Sequence, residues 1–241
     1  MTAEQTYAIA HRGLSMHHPE NTREAFAAAI GHTDVIELDV RATSDCTLVC
    51  THDRTLQRCY GIDRHVGQIS WDELHEIAPD IPRLQDVLAE HAQDVGWIID
   101  CKVTRPRAIA ELERVVASVG ISWNSGDSLR SGEPIPAGVA AFESADAKLL
   151  QAFHARNEAG VLELVGGATT AAQLALTAPL ITTYAQGVTL PDRLATSRML
   201  TILRMLRLGS YVYTINDQDR FDQLVQDGAS AIFTDDVVSI N

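Results

Sequence analysis

The chain has 241 residues, with 19 basic and 32 acidic side chains, a formal charge of −13 and 46% hydrophobic residues. That apolar fraction excludes intrinsic disorder, and a chain of this length buries enough surface to fold without disulfides or a structural metal. Its acidity offers no field for nucleic acid or an anionic membrane surface, and no run approaches the ~18 apolar residues of a membrane span.

Short apolar runs alternate with longer amphipathic ones, without a linker, an exact repeat or a low-complexity stretch. A first strand is expected at 7–10. Residues 1–6 lack the basic-then-apolar pattern of a secretory leader, so the chain reads as cytoplasmic. Cys46, Cys50, Cys59 and Cys101 match no common zinc spacing and read as reduced thiols. A helix at 22–30 follows, with Asn21 and Glu24 spaced as a capping box and Gly31 as its stop. Next come a strand at 35–40, a polar loop and a short extra strand at 48–51. A short helix is expected at 71–77, within a segment too long for one strand–helix–strand step. A helix at 84–91, a strand at 97–101 and a helix at 108–119 with Pro106 in its first turn come next. The loop 120–138 is expected to be mobile and to lie on the face away from the ligand site. The remaining strands are expected at 139–142, 161–165, 181–184, 211–215 and 231–234. The helices between them are expected at 145–155, 170–176, 193–208 and 218–226. Eight strand–helix repeats predict a single (β/α)8 TIM barrel over 1–241, with a small insertion at about 53–82 after the second barrel strand, on the ligand face. An open doubly wound sheet is the alternative, but no Gly-x-Gly-x-x-Gly follows any strand.

The polar residues gather where strands end. Glu37 and Asp39 share one face of their strand, because side chains alternate. Two inward carboxylates need a proton or a cation between them, and oxygen ligands favour Mg2+ or Ca2+. The plainer alternatives are a solvated strand end or a pair held by arginines. Asp100 and Lys102 repeat the pattern, as metal ligand and anion contact, or as an internal ion pair. His11 and His52 follow strands, where imidazoles can act as acid and base. Arg12 and Lys102 would make a metal-loaded pocket locally cationic, which suits an anionic substrate such as a phosphate ester. No phosphate-binding Gly-x4-Gly-Lys-Ser/Thr loop and no Gly-x-Ser-x-Gly elbow exists.

These residues fall within an ordered series of motifs. It runs through His11-Arg12-Gly13, Pro19-Glu20-Asn21-Thr22, Glu37-Leu38-Asp39-Val40, His52-Asp53 and Thr55-Leu56-x-Arg58. It continues with Ile81-Pro82-x-Leu84, Tyr213-Thr214-Ile215-Asn216 and Ile232-Phe233-Thr234-Asp235. The series resembles the glycerophosphodiester phosphodiesterase family over nearly the whole chain. The resemblance implies hydrolysis of a small-molecule glycerophosphodiester to sn-glycerol 3-phosphate and an alcohol, dependent on one divalent cation. It implies Glu37 and Asp39 as metal ligands, joined by Asp100, with His11 and His52 as the acid/base pair. Arg12, Lys102 and Tyr213 would contact substrate. The family's usual Glu-x-Lys is Asp100-Cys101-Lys102 here, and its Trp-Thr-x-Asn begins with Tyr213. Asp-x-Lys is also similar to the related sphingomyelinase D and phospholipase D toxins. A lysophospholipase D or sphingomyelinase D-like activity and a non-catalytic phosphate-ester-binding barrel are therefore alternatives.

Overall fold

A computed structural model describes residues 6–166 and 168–240. Residues 1–5, on which much of the leader reading rests, lie outside the described residues. Ten strands form: β1 Tyr7–His11, β2 Val35–Ala42, β3 Leu48–Cys50, β4 Gly96–Cys101, β5 Ser122–Trp123, β6 Val139–Ser144, β7 Val161–Leu164, β8 Gly187–Pro191, β9 Gly209–Tyr213 and β10 Ala231–Thr234. Eight of them pair in parallel in the order β1-β10-β9-β8-β7-β6-β4-β2, and β1 also pairs β2, which closes the barrel. β3 is antiparallel to β2, and the two-residue β5 runs beside β6. The fold is therefore a (β/α)8 barrel, as the alternation predicted. Among the described residues no helix is long and apolar enough to cross a membrane.

Alternation along the strands sorts the core into two layers. Ile36, Leu38, Val40, Trp97, Ile99, Cys101 and Phe142 face outward and pack beneath the helices. Ile9, Val35, Ile98, Ala141, Leu162 and Phe233 face inward and fill the barrel. Burial on this scale, at roughly 25 cal/mol per Å² of apolar surface, supplies the main driving force for folding. Residues 53–82 carry short helices at Gln57–Tyr60 and Trp71–Ile77 and a 3-10 turn at Val66–Gln68. They form their own small core from Leu56, Val66, Ile69, Leu74, Ala78 and Ile81 against Val49 of β3.

Four local expectations are corrected. Residues 181–184 are not a strand: a helix runs through Ala171–Ile181, and the barrel strand is β8. The hydrophobic run of that helix hid the strand, whose Thr189 faces the polar interior. The loop 120–138 does lie at the end of the barrel opposite the candidate site, but it is not a loose connection. Its Leu129 and Ile135 are fully buried and plug that end against Val35, Ile98 and Tyr211. A Cβ on Gly209 would come within 1.9 Å of the Leu129 carbonyl oxygen, so only glycine admits the plug there. Asn21 does not cap the first helix, Arg23–Ala29; the Thr22 side chain does, accepting from Ala25 N. The stretch 193–208 is a 3-10 turn at Asp192–Leu194 followed by a helix at Ser197–Met205, capped by Thr196.

Candidate active site

Strand register builds the site. Asp39 stands opposite Asp100, and Asp100 opposite Glu143, across β2, β4 and β6, while His11 stands opposite Glu37. These positions lie at the C-terminal ends of the strands, where barrels of this class place their chemistry. His11, Arg12, Glu37, Asp39, His52, Asp100, Lys102 and Tyr213 all line one cavity of about 250 Å³, so the structure brings together every residue that the sequence pointed to. Lys102 lies just beyond β4, and Cys101 turns away into the outer core.

Glu37, Asp39 and Asp100 are buried, and each offers an oxygen within 4.8 Å of the others. Lys102 Nζ lies 3.0 Å from Asp39 Oδ1 and also pairs with Asp100. Arg12 Nε lies 3.1 Å from Asp39 Oδ2, and the Arg12 amide donates to Glu37 Oε2 at 3.0 Å. Burial would raise Asp39, but Lys102 and Arg12 outweigh it and hold the carboxyl at about 2. Burial pushes Asp100 up to about 6 despite Lys102. Burial and the neighbouring Asp39 push Glu37 well above the usual carboxylate range. Two fixed cations thus do not balance the carboxylates. Asp100 Oδ1 is also buried without a hydrogen-bond partner among the described residues. An orphaned oxygen beside two other carboxylates fits a hard divalent cation, so these three residues form an acidic set able to hold one.

Each histidine is oriented through Nδ1. His11 Nδ1 lies 2.8 Å from Asp235 Oδ1, and His52 Nδ1 lies 2.7 Å from Asp53 Oδ1. This leaves Nε2 as the ring nitrogen for a ligand in both cases. Asp235 is itself fixed by Ser15 and by Asn216 Nδ2, at 3.0 and 2.8 Å. Burial would raise its carboxyl, but His11, Asn216 and Ser15 bring it down to about 2. Burial, reinforced by Arg12 and Lys102, lowers His52 and favours its neutral form. The Tyr213 hydroxyl donates to the Val165 carbonyl at 2.9 Å and holds the ring as a wall of the cavity.

The sequence reading missed several supporting residues. Asn21 grips Asp39 twice: Nδ2 donates to Oδ2 at 2.9 Å, and Oδ1 accepts from the Asp39 amide at 3.0 Å. Glu20 is shared between Arg12 and Arg58. Both lie in the Pro19–Thr22 motif, whose exposed-looking polarity gave no hint of these roles. Glu143, pushed up to about 8 by burial and Asp100, accepts from the Thr189 hydroxyl in the same cavity. Ending the strand at Phe142 concealed it. One more step of alternation would have placed Glu143 on the inner face with Ala141.

A closed (β/α)8 barrel with a carboxylate–histidine pocket at its strand ends defines a barrel protein whose pocket has groups able to hold a cation. The chain belongs to the glycerophosphoryl diester phosphodiesterase family, whose model matches residues 11–239. It is 34% identical over 110 residues to a glycerophosphodiester phosphodiesterase of Bacillus altitudinis, covering 41% of this chain and 45% of that one. The matched stretches thus span less than half the length of the curated relatives. A glycerophosphodiester phosphodiesterase of Thermotoga maritima has a similar fold, with a TM-score of 0.76 at 22% identity over 96% of this chain and 95% of that one. So does an Oleispira antarctica phosphodiesterase in complex with its product, sn-glycerol-3-phosphate, with a TM-score of 0.71 at 21% identity over 96% and 93%.

Proposed function

We propose that this chain hydrolyses small glycerophosphodiesters to sn-glycerol 3-phosphate and an alcohol. The observation that carries the reading is the pair of histidines with carboxylate-bound Nδ1 atoms, lining one cavity with three clustered carboxylates. Family membership and the product held by the Oleispira antarctica structure agree with it. Glu37, Asp39 and Asp100 would hold one Mg2+ or Ca2+ ion, which supplies charge neutralisation at the phosphate oxygens. Arg12 and Lys102 would contact the remaining phosphate charge.

In this reading the glycerol hydroxyl next to the phosphate attacks phosphorus. One histidine takes its proton, and the other gives a proton to the departing alcohol oxygen as the P–O bond breaks. The cyclic phosphate left behind is then opened by water, with the histidines exchanging roles, so both regain their starting protonation. A reducing, cytoplasmic setting fits the four free thiols. The test is release of sn-glycerol 3-phosphate from glycerophosphocholine, glycerophosphoethanolamine and glycerophosphoglycerol, with Mg2+ or Ca2+ and again with chelator. Turnover that survives chelation refutes the metal centre, and no turnover on any of them refutes the substrate class.

One observation favours a second reading, a lysophospholipase D-like activity. A cavity of about 580 Å³, lined in part by Val165, Leu174, Leu180 and Ile181, shares Leu164 with the catalytic cavity and has room for an acyl chain. Choline release from lysophosphatidylcholine exceeding that from glycerophosphocholine would select it.

A further inference from the structure

A second cavity, of about 340 Å³, adjoins the catalytic one and shares Lys102 with it. Its volume is within the range of small-ligand pockets, roughly 300–1,000 Å³. Arg41, Arg54, His65 and Arg105 line it, and no carboxylate does. In a chain of net charge −13 this is a local reversal of sign. None of the three arginines forms an ion pair among the described residues, although the carboxylates of Asp39, Asp53 and Asp100 lie near enough to act on Arg41. Arg41 Nε donates to the His52 carbonyl at 2.7 Å, and Arg105 donates to the Thr43 carbonyl at 2.9 Å. Both partners are uncharged, and Arg54 has no side-chain partner among the described residues. Like charges lining one cavity with no carboxylate among them repel each other, and an anion bound there relieves that repulsion.

The cavity is assembled from three places around the site. Arg41 lies one residue from the end of β2, Arg105 follows β4, and Arg54 and His65 belong to the insertion. The insertion is fixed in place there: Thr55 bridges to His65, and the Val66 amide donates to the Arg54 carbonyl at 3.0 Å. Through the Arg41–His52 contact the basic cavity begins directly behind one of the two histidines. Because Lys102 lines both cavities, a diester with its phosphorus at Lys102 would have the basic cavity within reach of one substituent.

We propose that this cavity is an anion subsite for the departing alcohol, selecting glycerophosphodiesters whose alcohol carries a second phosphate. The proposal rests on the hydrolase reading above. Arginine forks suit a phosphate, which accepts two parallel charge-assisted hydrogen bonds from each.

The test uses the full chain with Mg2+ and two probes that differ by one phosphate. One is glycerophosphoglycerol; the other is the same diester phosphorylated on the primary hydroxyl of the departing glycerol. The parent is expected to cleave the phosphorylated probe with a kcat/KM roughly tenfold higher or more. Arg54→Glu, at an exposed position, is expected to erase that preference and to leave glycerophosphoglycerol turnover within about twofold, whereas Arg54→Lys retains it. Equal kcat/KM on the two probes, or a preference that survives Arg54→Glu, overturns the subsite. If neither probe is cleaved, the hydrolase reading falls, and calorimetric titration with inorganic phosphate in chelator decides the subsite alone. Binding roughly fivefold weaker to Arg54→Glu than to the parent supports it, and equal binding refutes it.

Discussion

Asp100→Asn asks whether the buried carboxylates are kept for a cation. Asp100 is 4% exposed, and burial pushes its carboxyl from 3.8 up to about 6, with Lys102 offsetting only part of the cost. A folded-state value above the unfolded one means that ionised Asp100 opposes folding at neutral pH, and that this penalty fades as pH falls through 6 toward 4. A shift of about two units at ~1.4 kcal/mol each amounts to about 3 kcal/mol near pH 7.5. Asparagine keeps the shape and removes the charge, while Lys102 retains Asp39 at 3.0 Å. In chelator the variant should therefore melt roughly 6 °C or more above the parent at pH 7.5, and the two should converge near pH 4. Added Mg2+ or Ca2+ should raise the parent's melting temperature and raise the variant's much less, since a ligand is missing. Circular dichroism melts with and without metal measure both effects. A variant less stable than the parent in chelator, or equal metal-induced shifts, would refute the view that these groups form a cation site rather than a stabilising ion-pair cluster.

Other outcomes follow from the same geometry. His11→Ala and His52→Ala should each lower kcat by roughly 10²- to 10⁴-fold, His11→Ala also lowering the melting temperature through its lost contact to Asp235; near-normal turnover of either removes that histidine from the chemistry. Asp235, held down at about 2, stabilises the fold above about pH 4 and loses that contribution as pH falls toward 2. Asp235→Asn should therefore lower the urea midpoint at pH 7 and match the parent near pH 2; a gap of constant size across that range counts against the assignment. Leu129→Ala should cost about 2–5 kcal/mol in urea unfolding and leave kcat unchanged at 25 °C, because the plug lies away from the site. A loss of less than about 1 kcal/mol would mean that the plug does not bear on the core.

Much of the fold was legible because a period-2 run and a helical run are distinguishable by residues alone. Glu37 and Asp39, with Leu38 between them, announced one polar and one apolar face. The failures share a cause. β8 begins with Gly187, ends with Pro191 and carries an inward Thr189, so its hydrophobicity is diluted by the residues that serve the polar interior. The run before it, helical in fact, was the more apolar of the two. The plug was missed because Leu129 sits among Ser, Gly and Asp and Ile135 between two prolines, and only the three-dimensional closure of the barrel gives them an apolar partner. Within the site, residues that face the cavity were found from strand alternation. Those that act through another residue, such as Asn21 on Asp39, were not, since their role depends on contacts across 18 positions of chain.

The link between His11 and Asp235 joins positions 224 apart, and β10, which leads into Asp235, is also the strand that closes the barrel between β1 and β9. The residues proposed to carry the chemistry are all in place by position 102, yet the first of them takes its orientation from the last strand. On a ribosome adding roughly 5–20 residues per second, the interval between Lys102 and Asp235 is on the order of ten seconds. During that time the nascent chain holds its acids, bases and carboxylates without the arrangement that makes them act together. On the proposed mechanism, activity would therefore wait for the closing strand, which sets its timing.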